Sequence, residues 1–244
     1  MLVAHKPYNW PPRCFLLPNS RYKCKRVPVA TAIVVGGSSL LWFVLWMSSY
    51  PLQLFAAYGF VAAKPHTVSV VSSIFLHQGI IFVLPNMIFL SVLGKQLEDA
   101  LGRLLFLGVF LLSGVAGTAL FYVLDHTSTI PCTGSAAAVA GVVAAFWIVF
   151  PDSIFDVEVH LGWWHVTTFA AKTFAVVGAW LGWQLVVWLV HVPLPRTYIL
   201  WSNIGGFIAG IALALLLRPS LETPQRNQPS AAEPEQNAVT NLGL

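Results

Sequence analysis

Long apolar runs separated by short polar breaks dominate the chain between residues 28 and 217. Six of them, over residues 28–49, 70–93, 103–124, 131–150, 166–190 and 198–217, reach the length of about 20 residues that a bilayer's hydrocarbon core demands of a helix. The pattern predicts an all-α membrane protein, a six-transmembrane-helix bundle occupying residues 28–217. The breaks are polar in different ways. Residues 50–69 read as a loop that touches the interface through Leu52, Phe55, Tyr58 and Phe60. Residues 94–102 carry Lys95, Glu98 and Asp99, and Glu98 with Arg103 is expected to form an ion pair. Residues 151–165, with Asp152, Asp156, Glu158 and His160, read as a solvated loop, and Lys172 falls near the start of the fifth run. A basic, Pro-containing leader (1–27) and a polar tail (218–244) flank the membrane domain, and the tail is expected to be disordered because it holds too little apolar surface to fold alone.

Within the apolar runs the small and polar residues are the informative ones. The fourth run, PCTGSAAAVAGVVAAFWIVF, and the sixth, which opens on WSNIGGFIAG, are rich in Gly, Ala and Ser. Small residues on membrane helices let two backbones approach closely. Gly206 and Gly210 stand four apart, as do Ala136 and Ala140, so the two helices are expected to pack face to face inside one chain. His77, Pro85 and Asn86 lie inside the second run, where polar groups need protein or water partners.

Composition agrees with the pattern. The chain is 57% hydrophobic and 9% charged, with a mean hydropathy of +0.74, whereas about a quarter of a soluble domain is charged. The net charge of +4 is no nucleic-acid signal. Six of the thirteen basic residues (Lys6, Arg13, Arg21, Lys23, Lys25, Arg26) precede the first run, where they set topology. With six spans, ten basic residues fall on the side of the termini and only Lys64 and Arg196 on the other. This distribution places both termini in the cytoplasm or an organelle matrix, in a bacterial or mitochondrial inner membrane. Cys14, Cys24 and Cys132 form no CxxC pair, and Asp156, Glu158, His160 and His165 match no standard ligand spacing. No metal, cofactor, nucleic acid or small-molecule substrate is expected. The expected partners are membrane lipid and other transmembrane proteins.

Five segments, in order over residues 60–217, resemble the rhomboid family of intramembrane serine proteases. Phe75-Leu-His-Gln-Gly-Ile-Ile-Phe-Val-Leu-Pro-Asn-Met87 is similar to its FLH-x-G…HLxxNM segment. Gly94-Lys-Gln-Leu-Glu-Asp-Ala-Leu-Gly-Arg103 is similar to its G-x-x-x-E-x-x-x-G turn. Ser128-Thr-Ile-Pro-Cys-Thr-Gly134 resembles the approach to its catalytic helix, which follows, and Trp201-Ser-Asn-Ile-Gly-Gly-Phe-Ile-Ala-Gly210 its last helix. The resemblance implies a rhomboid-like bundle and a reaction in which a serine of the fourth helix, in G-x-S-G, is activated by a histidine of the sixth. A histidine and an asparagine of the second helix would hold the oxyanion. A hydroxyl is a weak nucleophile until a base takes its proton, and the oxyanion needs donors aimed at it.

On those positions this sequence departs. The motif reads Gly134-Ser135-Ala136-Ala137, so Ala136 stands at the nucleophile position. Asn203 stands at the base position and Phe82 at the oxyanion histidine, while Asn86 and Gly134 are retained. Ser135 is one residue away, a rotation of about 100° around a helix. None of the seven histidines lies between 198 and 217, and a carboxamide takes up no proton near neutrality. Asn86 and Asn203 therefore read as hydrogen-bond clips between helices, Asn203 toward the fourth helix. His77 reads as a satisfied polar residue at a helix end.

The resemblance with these departures implies a catalytically inactive rhomboid-like protein, a pseudoprotease that binds, positions or scaffolds other membrane proteins. The alternatives are a structural subunit of a larger membrane complex and an intramembrane serine endopeptidase with a non-standard site. The inactive reading expects no serine oxygen within reach of an imidazole nitrogen in the membrane-embedded part.

Overall fold

A computed structural model describes residues 16–20, 24–48, 51–161, 164–190 and 197–217. The remainder of the leader, the 191–196 turn with Arg196, and the 218–244 tail lie outside the described residues. In chain order, the elements are β1 (Leu16–Ser20), α1 (Val29–Met47), α2 (Pro51–Tyr58), α3 (Thr67–Phe75), α4 (Ile80–Phe89), a π-helical turn (Leu90–Gly94), α5 (Lys95–Leu101) and α6 (Arg103–Leu124). They continue with α7 (Ala136–Val149), β2 (Ile154–Leu161), β3 (Trp164–Lys172), α8 (Thr173–Val190) and α9 (Thr197–Leu217). Among the described residues, four stretches are long and apolar enough to cross a membrane: Val29–Met47, Ile80–Leu101, Arg103–Leu124 and Ile199–Leu217. Two shorter apolar helices, Ala136–Val149 and Thr173–Leu189, accompany them.

The bundle is built around α7. That helix is apolar all round, and every residue from Ala137 to Phe146 is buried, the behaviour expected of a helix without a polar face. It packs on α6 and α9, which also pack on each other. Glycine makes the approach possible. A Cβ at Gly206 would strike the backbone of Ala137, and one at Gly210 the backbone of Gly141. A Cβ at Gly117 of α6 would meet Ser202 and Ala137. The glycines of α9 thus meet α7 at Ala137 and Gly141, each one residue beyond Ala136 and Ala140, although Ala140 is itself fully buried.

Four expected segments differ. The second run is not one helix over 70–93. It breaks after α3, where Leu76 is extended and the chain re-enters helix at Gly79. The 151–165 segment is not a solvated loop but part of an antiparallel hairpin, β2–β3, with β1 of the leader on its outer edge. Phe155 is fully buried with its ring centroid 5.8 Å from that of Phe146, and Val157 is buried two residues on. Strict alternation over Phe155–Leu161 is the strand signal that places Phe155 and Val157 on one face. Lys172 ends β3 rather than opening a helix, and α8 begins after it. The 50–69 segment contains α2, a two-turn helix, rather than loop alone.

The first span is tied down by the acids of α5. Pro28 offers no side-chain cap to α1. Instead Glu98 Oε1 accepts from the Ala30 N–H at 3.0 Å, and Oε2 accepts from the Thr31 N–H and hydroxyl at 2.7 and 2.8 Å. Asp99 Oδ1 accepts from the Arg26 N–H at 2.8 Å. A carboxylate at a helix N-terminus satisfies orphan donors and meets the positive end of the dipole. The expected Glu98–Arg103 pair is present at 3.9 Å, with Arg103 mostly exposed. Capping of α1 is the principal work of Glu98.

Candidate functional site

The chain reaches α7 through a tight turn. Phe60 and Cys132 exchange backbone hydrogen bonds, 3.0 and 2.7 Å long, which anchor the approach. Gly134 adopts φ +115°, a region that disfavours any side chain, and donates its N–H to the Ser73 carbonyl at 2.9 Å. That conformation sets Ser135 as the N-cap of α7.

Contrary to the sequence expectation, a serine oxygen here does reach an imidazole. Ser135 Oγ lies 3.0 Å from His77 Nε2, and the Ser135 N–H donates to the same nitrogen at 3.3 Å. Nε2 therefore accepts, and the proton is assigned to Nδ1, which donates to the Phe75 carbonyl at 3.1 Å. Both side chains are enclosed, Ser135 at 0% and His77 at 1% exposure. Burial, only partly opposed by the Phe75 hydrogen bond, pulls the His77 pKa down to about 4. The imidazole stays neutral, and the pair clips the α3–α4 connection to the start of α7.

Beside this clip, but not lined by either residue, is a cavity of about 40 Å³. Phe82 and Asn86 of α4, Gly134 and Ala136 all face it. Its polar wall consists of the carboxamides of Gln78, Asn86 and Gln184, four hydroxyls, and the Cys132 thiol. No imidazole or carboxylate lines it among the described residues. Burial raises the Cys132 thiol to about 12, although a hydrogen bond with Ser202 works the other way, so the thiol stays protonated and unreactive. Asn86 Oδ1 accepts from Gln184 Nε2 of α8 at 3.5 Å, a long contact between helices.

Asn203 is elsewhere. Its side chain lines a separate groove between α8 and α9, and its place at the cavity is taken by Ser202. The expected bond from Asn203 to the fourth predicted helix is absent among the described residues: Oδ1 is buried without a hydrogen-bond partner. The positions that the sequence grouped thus divide. Ala136, Phe82, Asn86 and Gly134 share one cavity, Asn203 opens onto another, and Ala140, Gly206 and Gly210 belong to the packed seam and not to either.

A family model described as the Rhomboid domain matches residues 64–220. The chain belongs to the rhomboid family. Compared with the curated proteins, this rhomboid matches none at a significant level. Its matched span covers α3 through α9 and leaves α1, α2 and β1 outside. It is an integral membrane protein in contact with lipid, mostly helical, with four stretches long enough to span among the described residues.

Sequence reading passed over Gln184 and gave Ser202 and Cys132 no place in a site. Gln184 and Ser202 each put a polar group in an apolar run, the signal that marks a functional position at membrane depth. Cys132 carried no pattern at all, and only the fold brings it to Ser202. Asp156 lies on β2, whereas the side chains of Glu158, His160 and His165 lie outside the described residues. In the backbone register, position 160 pairs with position 165 near the hairpin end.

Proposed function

We propose that this rhomboid is catalytically inactive and binds, positions or scaffolds other membrane proteins. One observation carries the reading. The cavity carries Ala136 at the position that the resemblance gives to the nucleophile, none of its described lining residues is an imidazole or a carboxylate, and the neighbouring Ser135 does not line it and is held by His77. A serine without access to an incoming carbonyl does no acyl transfer, however close its base. A rhomboid bundle without a dyad keeps its capacity to receive a membrane segment, and Asn86 and Gln184 supply the polar contacts such a segment recognises. The structural-subunit alternative is separated from this reading by stoichiometry: one constant partner recovered in mild detergent against several transient ones.

The 3.0 Å contact supports a second reading, an endopeptidase in which His77 takes the Ser135 proton. Both readings are tested by a fluorophosphonate probe on the purified full chain in detergent and in lipid. The inactive reading expects no labelling. Labelling abolished by Ser135→Ala and by His77→Gln supports the endopeptidase and overturns the proposal.

A further inference from the structure

Three of the spans begin or end at one place. The apolar stretch Ile80–Leu101 ends there, α6 begins at Arg103, and α1 begins at Val29, just after Lys25 and Arg26 are tied to Asp99. These ends enclose a groove of about 410 Å³, lined by Arg26, Arg103, Val27, Leu104 and Leu105 together with the acids Glu98 and Asp99. The hydrocarbon of a bilayer starts where apolar spans start, so the groove lies at the level of the lipid headgroups.

The charges of the groove are sorted by depth. Its carboxylates are spent on backbone donors. Glu98, 3% exposed, serves Ala30 and Thr31, and the half-buried Asp99 accepts from the N–H groups of Lys25 and Arg26. Its guanidiniums are exposed. Arg103 comes no closer to Glu98 than 3.9 Å. Arg26 Nη1 lies 4.0 Å from the point that a Cβ on Gly102 would occupy, beside the start of α6. Among the described residues the Arg26 guanidinium has neither an ion pair nor a hydrogen bond. The other lining is apolar and open: Val27, Leu104 and Leu105 are all exposed.

This pairing of walls selects an amphiphile. Inorganic phosphate satisfies a guanidinium but leaves the leucines bare. An acyl chain alone covers the leucines and leaves the guanidiniums unpaired. A zwitterionic phospholipid brings a cation of its own toward two arginines. An anionic phospholipid meets both walls, and the planar guanidinium fork matches phosphate oxygens better than an ammonium does. Basic pockets at the ends of membrane helices are suited to such headgroups.

We propose that the groove between the starts of α1 and α6 is a headgroup site for an anionic phospholipid, with its phosphate on the Arg26 guanidinium, Arg103 adding attraction, and an acyl chain lying along Leu104. α6 runs from this groove to the connection that carries Cys132 and Gly134 into the central cavity, so the two sites are separate. The lipid site therefore stands whether or not the central cavity is catalytic.

The test is native mass spectrometry of the delipidated full chain in detergent, with phosphatidylglycerol or phosphatidylcholine of the same acyl chains added in equal amount. Phosphatidylglycerol is expected to bind more tightly, by about fivefold for each guanidinium, the ratio that corresponds to roughly 1 kcal/mol per arginine. Arg26→Gln should lower the preference about fivefold, and Arg26→Gln with Arg103→Gln should remove it. Arg26→Gln keeps the backbone N–H that Asp99 accepts, so the anchorage of α1 is retained. Circular dichroism confirms that the variants fold, and Arg26→Gln decides alone if the double variant does not. Lys64→Gln is the control for charge. Its neighbour Ala63 donates to the Ser128 carbonyl, beyond the far end of α6, and the preference should be unchanged there. Equal binding of the two lipids, a preference unchanged in Arg26→Gln, or one that survives the double variant overturns the proposal. An equal loss in Lys64→Gln also overturns it, since net charge rather than a site would then be at work. So does inorganic phosphate that raises the unfolding temperature as far as phosphatidylglycerol does at the same concentration.

Discussion

Ser135 Oγ and His77 Nε2 stand 3.0 Å apart, fifty-eight residues apart in the chain, in a fully enclosed contact that joins the α3–α4 connection to the N-terminus of α7. The same nitrogen also receives the Ser135 backbone N–H. Ser135→Ala therefore leaves the imidazole with one of its two donors. The expected cost is about 1 kcal/mol, one net hydrogen bond, read as a lower unfolding temperature in detergent. Loss of several kcal/mol would mean that the hydroxyl holds more than this clip.

His77 makes stability depend on pH in a definite direction. Its pKa falls from 6.5 to about 4 on folding. A depressed histidine pKa means that the unfolded chain binds the proton more readily. The contribution is fully present above pH 6.5 and declines as pH falls toward 4, by about 1.4 kcal/mol per unit. Unfolding temperatures measured at pH 7.5 and 4.5 should differ less for His77→Gln than for the wild type. An unchanged difference would show that His77 is not kept neutral in the folded state.

Glu98 holds α1 to α5 through three hydrogen bonds to Ala30 and Thr31. Glu98→Ala should destabilise the protein by about 2–3 kcal/mol, since charge-assisted bonds to buried donors are lost together. Limited proteolysis should then release α1 before the rest of the bundle unfolds. An intact α1 under those conditions would place its anchorage elsewhere.

Glycine substitutions should separate the seam from the periphery. Gly206→Ala, whose Cβ meets the backbone of Ala137, should cost about 1–3 kcal/mol as an overpacked contact. Gly178→Ala in α8 meets nothing within 4 Å and should stabilise by about 0.5–1 kcal/mol through helix propensity. Thermal unfolding of the two variants checks both signs.

On the proposed assignment of positions 136 and 203, Ala136→Ser with Asn203→His supplies the two reactive groups that the family's reaction uses. No fluorophosphonate labelling is expected, because position 203 opens onto the α8–α9 groove while position 136 faces the central cavity. Labelling of the double variant would show that the histidine turns inward.

The apolar runs, the small-residue helices and the family motifs were readable from the chain alone, because each rests on local spacing. So α6 was expected at 103–124 and found there, and α9 within a residue of 198–217. The strand pair at 154–172 was also written locally, in the alternation from Phe155, but charged and histidine residues made 151–165 read as loop, and 166–172 read as the start of the fifth span. The meeting of His77 with Ser135 was not legible. It depends on a break between α3 and α4 and on the positive φ of Gly134.

What the sequence determined by itself is the membrane class and the rhomboid motifs, and it supplied the proposed reading of Ala136 and Asn203 at the reactive positions. Those follow from residue identity and helical period. Only the tertiary structure decided that Ser135 is spent on His77 and that Asn203 leaves the cavity to Ser202. Each of these is set by how far a helix rotates about its own axis when glycine lets its neighbour approach, and no single helix carries that angle in its own sequence.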